Sequence, residues 1–504
     1  MVAEADVRRL RGVTTATGRD GTGLLTDRYE LTMLRSALAS GVGRRAAAFE
    51  VFARRLPPGR RYGVVAGTGR FLDALAQFRF DPDELKFLLD TDVVDDRTAR
   101  YLASYRFSGS VWGYPEGECY FPGSPILVIE GAFAEAVVLE TLALSILNHD
   151  CAIASAASRM VTAAGQRPII EMGSRRTHEL AAVAAARAAY IAGFAASSNL
   201  RAGMDYGVPT TGTSAHSFTL AHDDERQAFA TQLESLGAGT TLLVDTYDVA
   251  TAVRTAVDLA GPALGAVRID SGDLPVVARQ VRAQLDSLGA TATAIVVTGD
   301  LDEHSIAGLA VAPVDGYGVG TALVTGSGAP TAALVYKLAA RSGESPAGTA
   351  RAGADGAGAE LDGAELDGAE PDRSEPDRSE PDRSERDGSG AGWEQLRPVA
   401  KRSPGKRGRG GRKWAARMLD QSGTAVAERI SGAPLVSRPD QRPLLRQLVR
   451  DGEITGAEPL QAARDRHQQA LRELPDHARR LADGGPAIPT IFNGLGPQDG
   501  PAGQ

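Results

Sequence analysis

Short apolar segments alternate with amphipathic segments across the middle of this chain, and this alternation constrains the fold more than any other sequence feature. The apolar segments predict buried strands at 242–245, 266–269, 294–297 and 314–319. The amphipathic segments predict helices at 224–236, 247–260, 274–288 and 302–310. A repeat of about 25 to 30 residues is typical of a parallel (β/α) barrel. An open doubly wound sheet also fits, because the period of a sequence does not encode closure of the sheet.

Polar residues cluster directly after each predicted strand. The clusters are Asp245-Thr-Tyr-Asp248, Arg268 to Asp273, Thr298-Gly-Asp300 and Gly318 to Thr321. Because the C-terminal ends of parallel strands meet on one face, we expect these clusters to lie together. That face is where barrel active sites are built, and the last loops usually bind phosphate.

A loop of small and hydroxyl residues, 209–218, surrounds His216. Gly212 lets the backbone approach a ligand closely, and hydroxyl donors such as Thr213 stand beside an imidazole that can act as acid, base or nucleophile. A lone histidine in such a loop is more often structural. The polar clusters that follow it at strand–helix spacing favour a functional role.

The region upstream of the barrel pattern has a different organisation. Alternating apolar and polar residues, as at 48–52 and 126–129, predict a separate α+β domain over 22–130. Long alanine-rich helices are predicted at 133–148 and 177–197. Arg175 and Arg176 precede the second helix, where they can hold a phosphate or form a surface salt-bridge pair.

Composition changes sharply after residue 338. The segment 341–392 has almost no large apolar residues and contains LDGAE twice and PDRSE three times, which predicts a disordered acidic insertion. The basic run 401–413 beyond it suits a local anion site or an RNA-binding loop. The predicted divisions are therefore an N-terminal domain (22–130), a barrel (131–340), the insertion (341–392) and a C-terminal region (393–504).

The overall composition narrows the classes of partner. A net charge of −8 and an aromatic content of only 5% argue against a nucleic-acid partner. Cys119 and Cys151 lack metal-ligand spacing and cannot build a disulfide framework, so a reducing cytoplasm is expected. The N-terminus lacks the apolar core of a signal peptide, and the uncharged stretch 316–336 is interrupted by glycines and a proline, so no membrane association is predicted.

Several of these segments, taken in order, resemble the nicotinate phosphoribosyltransferase family. They are Leu25 to Met33 (LTDRYELTM), Phe49 to Phe52, Glu171 to Arg176, Gly212 to Ser217, Leu243 to Tyr247, Arg268 to Asp273 and Gly318 to Thr321. The likeness extends over about residues 22–338 and resumes over about 393–480, with the basic run and Arg472-Glu-Leu-Pro475. No single motif is diagnostic, but the ordered set is highly specific.

The resemblance implies an ATP-dependent ligase of NAD salvage. It would join nicotinate to 5-phosphoribosyl 1-pyrophosphate (PRPP), releasing nicotinate mononucleotide and pyrophosphate, with Mg²⁺ as cofactor. ATP hydrolysis would be coupled through a phosphohistidine, at the position that His216 matches. The family's fold is an α/β architecture: an irregular parallel (β/α) barrel with a smaller α+β domain built from the N-terminal region and part of the C-terminal region. The family commonly forms homodimers with active sites near the interface.

The resemblance also implies roles for individual residues. Tyr29, Thr213 and Arg268 would bind nicotinate. PRPP and its phosphates would be bound by Thr321, Gly320, Gly299, Ser271, Asp270, Asp273 and Arg175. Three alternatives stay open: a related phosphoribosyltransferase for nicotinamide or quinolinate, a non-catalytic barrel that binds a sugar phosphate, and an RNA-binding protein that uses the basic run.

Overall fold

A computed structural model describes residues 21–343, 396–401, 408–436 and 438–495. Most of the predicted disordered insertion at 341–392 lies outside these described residues, as does the 402–407 part of the basic run. The first elements are α1 (Arg28–Ala39), β1 (Ala46–Ala53), β2 (Gly63–Val64), α2 (Thr68–Ala76), α3 (Pro82–Asp90), α4 (Asp96–Ala103), β3 (Ser110–Gly113), β4 (Cys119–Tyr120), β5 (Leu127–Ala132), α5 (Phe133–Ala136) and α6 (Glu140–Ala164).

The middle of the chain alternates strands and helices. Its elements are β6 (Ile169–Glu171), α7 (Glu179–Ile191), β7 (Ala196–Ser197), α8 (Leu200–Tyr206), α9 (His216–Leu220), α10 (Glu225–Leu236), β8 (Thr241–Leu243), α11 (Val249–Ala260), β9 (Ala266–Ile269), α12 (Leu274–Ser287), β10 (Ala294–Val297), α13 (Glu303–Gly308), β11 (Gly316–Val319) and α14 (Thr321–Val324). The remaining elements are β12 (Leu334–Arg341), β13 (Arg397–Pro398), β14 (Trp414–Leu419), β15 (Ala425–Ser431), β16 (Gln441–Pro443), β17 (Arg446–Arg450), β18 (Glu453–Ile454), α15 (Leu460–Glu473) and β19 (Thr490–Asn493).

A six-stranded parallel sheet in the order β7-β6-β11-β10-β9-β8 forms the barrel. From β8 to β11 each strand pairs with its successor in the chain, and β11 pairs with β6. A doubly wound sheet would instead reverse its order at a switch point. The sheet is therefore a curled, irregular barrel with one seam, between β7 and β8, that strand pairing does not close within the described part of the chain. This confirms the predicted fold class.

Aspartates start the helices on the barrel's outer layer. Asp248, Asp273 and Asp302 are the N-caps of α11, α12 and α13, and each side chain accepts a hydrogen bond from a first-turn backbone N–H. An N-cap of this type stabilises a helix by about 1 kcal/mol. Asp248 and Asp273 belong to the polar clusters after β8 and β9, so these two clusters also fix where the following helices begin.

A seven-stranded antiparallel sheet in the order β13-β12-β1-β5-β3-β17-β18 forms the smaller domain. Its central strands come from the N-terminal region, whereas β13, β17 and β18 come from beyond the insertion. This confirms that both ends of the chain build the domain. All of β12 except Arg341 lies within the segment assigned to the barrel, but β12 pairs with β1. The domain limits themselves stay predictions.

The predicted helix at 177–197 is too long. The helix α7 ends at Ile191, Gly193 adopts a positive φ of 116°, and Ala196–Ser197 form β7. Glycine adopts that conformation without the steric cost that other residues incur. The alanine-rich sequence gives no signal for the end of α7, because alanine favours helix without excluding a short buried strand such as β7.

The helical span Phe133–Ala164 connects the two domains. It is the one span of the described residues long and apolar enough to cross a membrane, but 67% of its most apolar window is buried inside the protein. Its buried face contributes residues such as Leu142 and Cys151 to the small-domain core and Ile153 and Met160 to the barrel core. Such burial is the pattern of a core helix.

A cluster of charged residues lies where the C-terminal segments pack on the N-terminal region. We call Glu118, Arg417, Glu428, Arg442 and Glu473 the buried ion cluster. Arg417 and Glu428 are fully buried, and Arg417 Nη2 donates to Glu428 Oε2 at 3.1 Å and to the Cys119 carbonyl at 2.7 Å. Arg442 donates to Glu118 Oε2 at 2.7 Å and Glu473 Oε2 at 2.6 Å. These bonds attach strands β14 to β16 and helix α15 to the N-terminal region.

Candidate active site at the barrel mouth

The loop that carries His216 lies at the open seam of the barrel. Ser197 at the end of β7 forms a parallel bridge with Thr210. The Ser197 N–H donates to the Pro209 carbonyl at 2.9 Å, and the Thr211 N–H donates to the Ser197 carbonyl at 3.0 Å. The loop then crosses toward β8, and α9 begins at His216. A segment without strand structure thus occupies the gap between the two edge strands.

His216 pairs with Asp245, which follows β8. The His216 Nε2 atom lies 3.1 Å from Asp245 Oδ1, and the side chains are 39% and 2% exposed. Asp245 Oδ2 accepts from the Asp270 N–H at 2.9 Å and from Ser271 Oγ at 2.7 Å. The carboxylate is therefore fixed by the neighbouring loop and fixes the imidazole in turn, while the imidazole remains partly open to solvent.

Arg268 on β9 connects the His216 loop to the neighbouring strands. Its Nε donates to Thr298 Oγ1 at 3.0 Å and its Nη2 to Asp270 Oδ1 at 3.1 Å. Its Nη1 donates to Thr213 Oγ1 at 2.9 Å and to the Ser214 carbonyl at 3.2 Å. These contacts engage four of the five N–H groups of the guanidinium. We call His216, Asp245, Arg268, Asp270 and Thr298 the mouth cluster.

Asp270 is held ionised within this cluster. Partial burial raises its pKa, but hydrogen bonds from Thr298 and Arg268, together with the charge of Arg268, outweigh burial and hold the pKa below the ordinary aspartate value. The Thr298 hydroxyl donates to the same Oδ1 atom that Arg268 contacts. A fixed negative charge therefore lies at the barrel mouth beside a buried guanidinium.

The predicted phosphate loops follow β9, β10 and β11 on the same face. Gly299 has a φ of 104°, and a side chain there would place its Cβ 2.4 Å from the Asp270 carbonyl oxygen, so only glycine fits. Gly320 and Thr321 begin the exposed start of α14. The exposed Asp273 caps α12. The structure thus brings these residues to one edge of the sheet with the mouth cluster.

Arg175 follows β6 and is exposed at this face. The buried Glu171 shapes its loop, because it accepts hydrogen bonds from the Gly173 N–H and the Ser197 hydroxyl. Burial raises the pKa of Glu171 despite these bonds. Since Ser197 also pairs with the His216 loop, one buried carboxylate links the loops of Arg175 and His216.

Tyr29 lies in the smaller domain, and no described contact joins it to the mouth cluster. It projects from α1 with 44% of its surface exposed. Partial burial and the nearby Glu140 and Glu30 carboxylates raise its pKa above the ordinary tyrosine value. The structure of a single chain therefore does not bring Tyr29 together with Thr213 and Arg268.

Two members of the mouth cluster were missing from the predicted site. Asp245 and Thr298 stand in the polar clusters after β8 and β10, so their position at strand ends was the available signal. A separate cleft of about 680 Å³, lined by Arg60, Arg159 and Glu303 among others, contains no member of the mouth cluster. Its two arginines are already engaged, because both donate to Glu303 Oε1 and to backbone carbonyls.

Comparisons with known proteins agree with this architecture. The family described as the nicotinate phosphoribosyltransferase N-terminal domain matches residues 24–148. The crystal structure of human nicotinic acid phosphoribosyltransferase superposes with a TM-score of 0.72 at 24% identity, covering 93% of this chain and 97% of that one. Nicotinate-nucleotide pyrophosphorylase from Pyrococcus furiosus gives a TM-score of 0.67 at 22% identity, with 90% and 95% coverage. The likeness to these two structures shows the fold alone.

Sequence identity to known proteins assigns the chain to a family, which the likeness in fold does not. The nicotinate phosphoribosyltransferase pncB1 of Mycobacterium tuberculosis is 54% identical over 482 residues, which cover 94% of this chain and 95% of that protein. With that identity across nearly the whole length of both proteins, this chain belongs to the nicotinate phosphoribosyltransferase family.

Proposed function

We propose that the protein transfers the phosphoribosyl group of PRPP to nicotinate, giving nicotinate mononucleotide and pyrophosphate for NAD salvage, with coupled ATP hydrolysis. The observation that carries the proposal is the mouth cluster. It joins a buried arginine, an ionised aspartate and a partly exposed histidine through residues that follow three neighbouring strands, β8, β9 and β10. The 54% sequence identity to the pncB1 nicotinate phosphoribosyltransferase, over 94% of this chain, supports the choice of substrates.

Nicotinate would bind at Arg268 and Thr213. Nicotinate carries a carboxylate, and a guanidinium is a charge-assisted donor for that group. Because four N–H groups of Arg268 are already engaged, a substrate carboxylate would use the remaining N–H or replace the Thr213 and Ser214 contacts on Nη1. In the second case, nicotinate binding would release the loop that carries His216.

PRPP would bind across the loops after β9, β10 and β11. Loss of pyrophosphate leaves positive charge on the sugar, which a fixed carboxylate such as Asp270 stabilises. The leaving pyrophosphate would meet the backbone of Gly299, Gly320 and Thr321 and the side chains of Ser271, Asp273 and Arg175. No group of three or more metal-ligating side chains occurs among the described residues. Mg²⁺ commonly binds through substrate phosphates, so we propose that it arrives with PRPP.

His216 would accept a phosphoryl group from ATP through Nδ1. Its Nε2 is occupied by Asp245, so the Nδ1 lone pair is the free nucleophile when the ring is neutral. Nδ1 would attack the γ-phosphorus, ADP would leave, and water would later hydrolyse the phosphohistidine. The sequence contains no GxxxxGK[ST] pattern, so ATP would bind without a P-loop.

A homodimer would bring Tyr29 to a barrel mouth. Leu25, Tyr29 and Met33 form an exposed apolar stripe on the first helix and the turn before it, while Leu200 and Met204 are exposed on α8. If a second copy packed its α1 stripe against Leu200 and Met204 of the first, the contact would cover the apolar residues of both α1 and α8. It would also supply the Tyr29 of one copy to the barrel mouth of the other. We also propose a cytoplasmic location, in keeping with two buried free cysteines.

The purified protein, incubated with PRPP and Mg²⁺ with and without ATP, tests the proposal against each pyridine substrate in turn. Nicotinate mononucleotide should form from nicotinate and pyrophosphate should be released, and ATP should increase the yield. Product from nicotinamide or quinolinate alone would favour the related transferases. Binding of PRPP without turnover of any pyridine would favour the non-catalytic barrel, and salt-sensitive RNA binding would favour the basic run as the functional element.

A further inference from the structure

The Thr298 hydroxyl lies between the two charged groups of the mouth cluster. Arg268 Nε donates to Thr298 Oγ1 at 3.0 Å, and Oγ1 donates to Asp270 Oδ1. The direction of this relay is fixed, because a guanidinium nitrogen only donates and an ionised carboxylate only accepts. Arg268 Nη2 also donates to Oδ1. The three side chains therefore close a ring of hydrogen bonds that leaves Asp270 Oδ2 outside it.

The Thr298 side chain has little freedom to leave this position. It is only 3% exposed, and its backbone N–H donates to the Ile269 carbonyl at 2.9 Å. Its methyl group packs on Gly318 of β11, where an added Cβ would lie 2.5 Å from Thr298 Cγ2. With the methyl group fixed by β11, the hydroxyl can only face Arg268 and Asp270.

We propose that Thr298 is a positioning residue for phosphoribosyl transfer, whose hydroxyl sets the orientation of the Arg268 guanidinium relative to the Asp270 carboxylate without touching substrate. This inference rests on the proposed function. Without the hydroxyl, Arg268 Nε loses its acceptor and Asp270 Oδ1 loses a donor, so both groups can rotate. Rotation of Arg268 affects nicotinate binding, and rotation of Asp270 affects the transfer step.

Two pairs of variants isolate the hydroxyl. Thr298→Val keeps the branched shape and removes the hydroxyl, whereas Thr298→Ser keeps the hydroxyl and removes the methyl group. Thr298→Ala, compared with Thr298→Ser, repeats the test at smaller volume in case the valine variant does not fold. Thr293→Val is the matched control. Thr293 directly precedes β10, the strand that Thr298 follows, it is 1% exposed, and its hydroxyl has no partner in the described structure.

Steady-state kinetics with nicotinate and PRPP should show a loss of about 10- to 100-fold in kcat/KM for Thr298→Val and Thr298→Ala, as for other supporting residues of active sites. The loss should appear in both KM for nicotinate and kcat. Thr298→Ser should retain activity close to that of the unaltered protein, and Thr293→Val should match it.

Wild-type kinetic constants in Thr298→Val would overturn the inference while leaving the proposed function intact. Equal losses in the serine and alanine variants would also overturn it, because the methyl group would then be the essential part. A variant with a lower melting temperature but unchanged kcat and KM would assign Thr298 a structural role only. Absence of turnover in the unaltered protein would overturn the proposed function and this inference with it.

Discussion

The mouth cluster and the buried ion cluster both join arginines to carboxylates, yet they differ in where their residues come from. The buried ion cluster draws Arg417, Glu428 and Arg442 from within β14, β15 and β16, and Arg417 is fully buried. The mouth cluster draws Asp245, Asp270 and Thr298 from loops directly after parallel strands, and His216 is 39% exposed. The centre of the first cluster, Arg417 with Glu428, is enclosed, whereas the second cluster is partly open to solvent at His216 and Asp270.

The difference shows that a dense set of ion pairs does not by itself mark a functional site. Within the buried ion cluster, Nε and Nη1 of Arg417 have no hydrogen-bond partner in the described structure, but no ligand can reach them. In the mouth cluster, His216 and Asp270 are partly open to solvent, with 39% and 31% of their side chains exposed. Position at a strand end, together with access to solvent, is what makes the mouth cluster the candidate site and distinguishes it from the buried ion cluster.

Removal of Arg417 should have the largest effect on stability. Arg417→Met leaves Glu118 and Glu428 buried with one fewer cation, which should cost about 3 to 5 kcal/mol of unfolding free energy. Denaturant unfolding measures the change, and kcat of the remaining folded protein should be nearly unaltered. Arg35→Met is the control, because it removes only exposed or partly exposed pairs with Asp92 and Asp95, each worth about 1 kcal/mol or less. An unchanged denaturant midpoint for Arg417→Met would contradict the assignment.

The buried His467 ring should make the free energy of unfolding depend on pH in the acid range. Burial lowers its pKa to about 4, so the folded protein keeps it neutral while the unfolded chain takes up a proton below about pH 6.5. The contribution of the neutral His467 ring to the free energy of unfolding is therefore fully present above about pH 6.5. It is lost as the pH falls toward 4, which lowers the free energy of unfolding by up to about 3 kcal/mol.

The variant His467→Gln tests this dependence. Its unfolding free energy, measured at intervals from neutral to acid pH, should fall less steeply through that range than that of the unaltered protein. Equal slopes for the variant and the unaltered protein would show that His467 does not titrate as its burial requires.

Substitution of Arg268 should affect substrate use and leave stability less altered. A lysine supplies one point charge and cannot hold Thr213, Thr298 and Asp270 together. We expect Arg268→Lys to raise KM for nicotinate by roughly 10- to 100-fold and to lower kcat less. Arg282→Lys is the control, since Arg282 bonds within α12 and the turn after it. Equal changes in KM for nicotinate and for nicotinamide would show that Arg268 does not recognise the substrate carboxylate.

Deletion of residues 345–390 should have the smallest effect. Arg341 of β12 and Arg397 of β13 are cross-strand partners, so the chain leaves and re-enters the sheet at adjacent positions. Stability and turnover should stay within roughly 1 kcal/mol of the parent, as for most surface changes. Unfolding curves and kcat measure this, and loss of folded protein on deletion would show that the segment is structural.

Much of the barrel could be predicted from the sequence. The strands β9 and β10 coincide with the predicted segments, because short apolar runs between amphipathic segments leave few other arrangements. The polar clusters after β8, β9 and β10 were correctly expected on one face, since parallel strands share a direction. The contact of Arg268 with Thr213 follows from neither rule, because it depends on the loop that crosses the seam.

Other features of the site depend on distances that sequence patterns do not encode. The pairing of His216 with Asp245 requires that β7 and β8 stay unpaired, so that the loop can lie between them. The position of Tyr29 depends on which surface of the small domain remains exposed. For the same reason, the roles assigned to individual site residues stay predictions.

The most direct test of the account is the phosphorylation of His216. With γ-labelled ATP, the protein should take up an acid-labile, base-stable label, as phosphohistidine does and phosphoserine does not. His216→Ala should abolish the label and ATP hydrolysis yet retain some ATP-independent transfer, because PRPP carries its own leaving group and the electrostatic groups around it remain. A folded His216→Ala protein that still takes up the label would contradict the account.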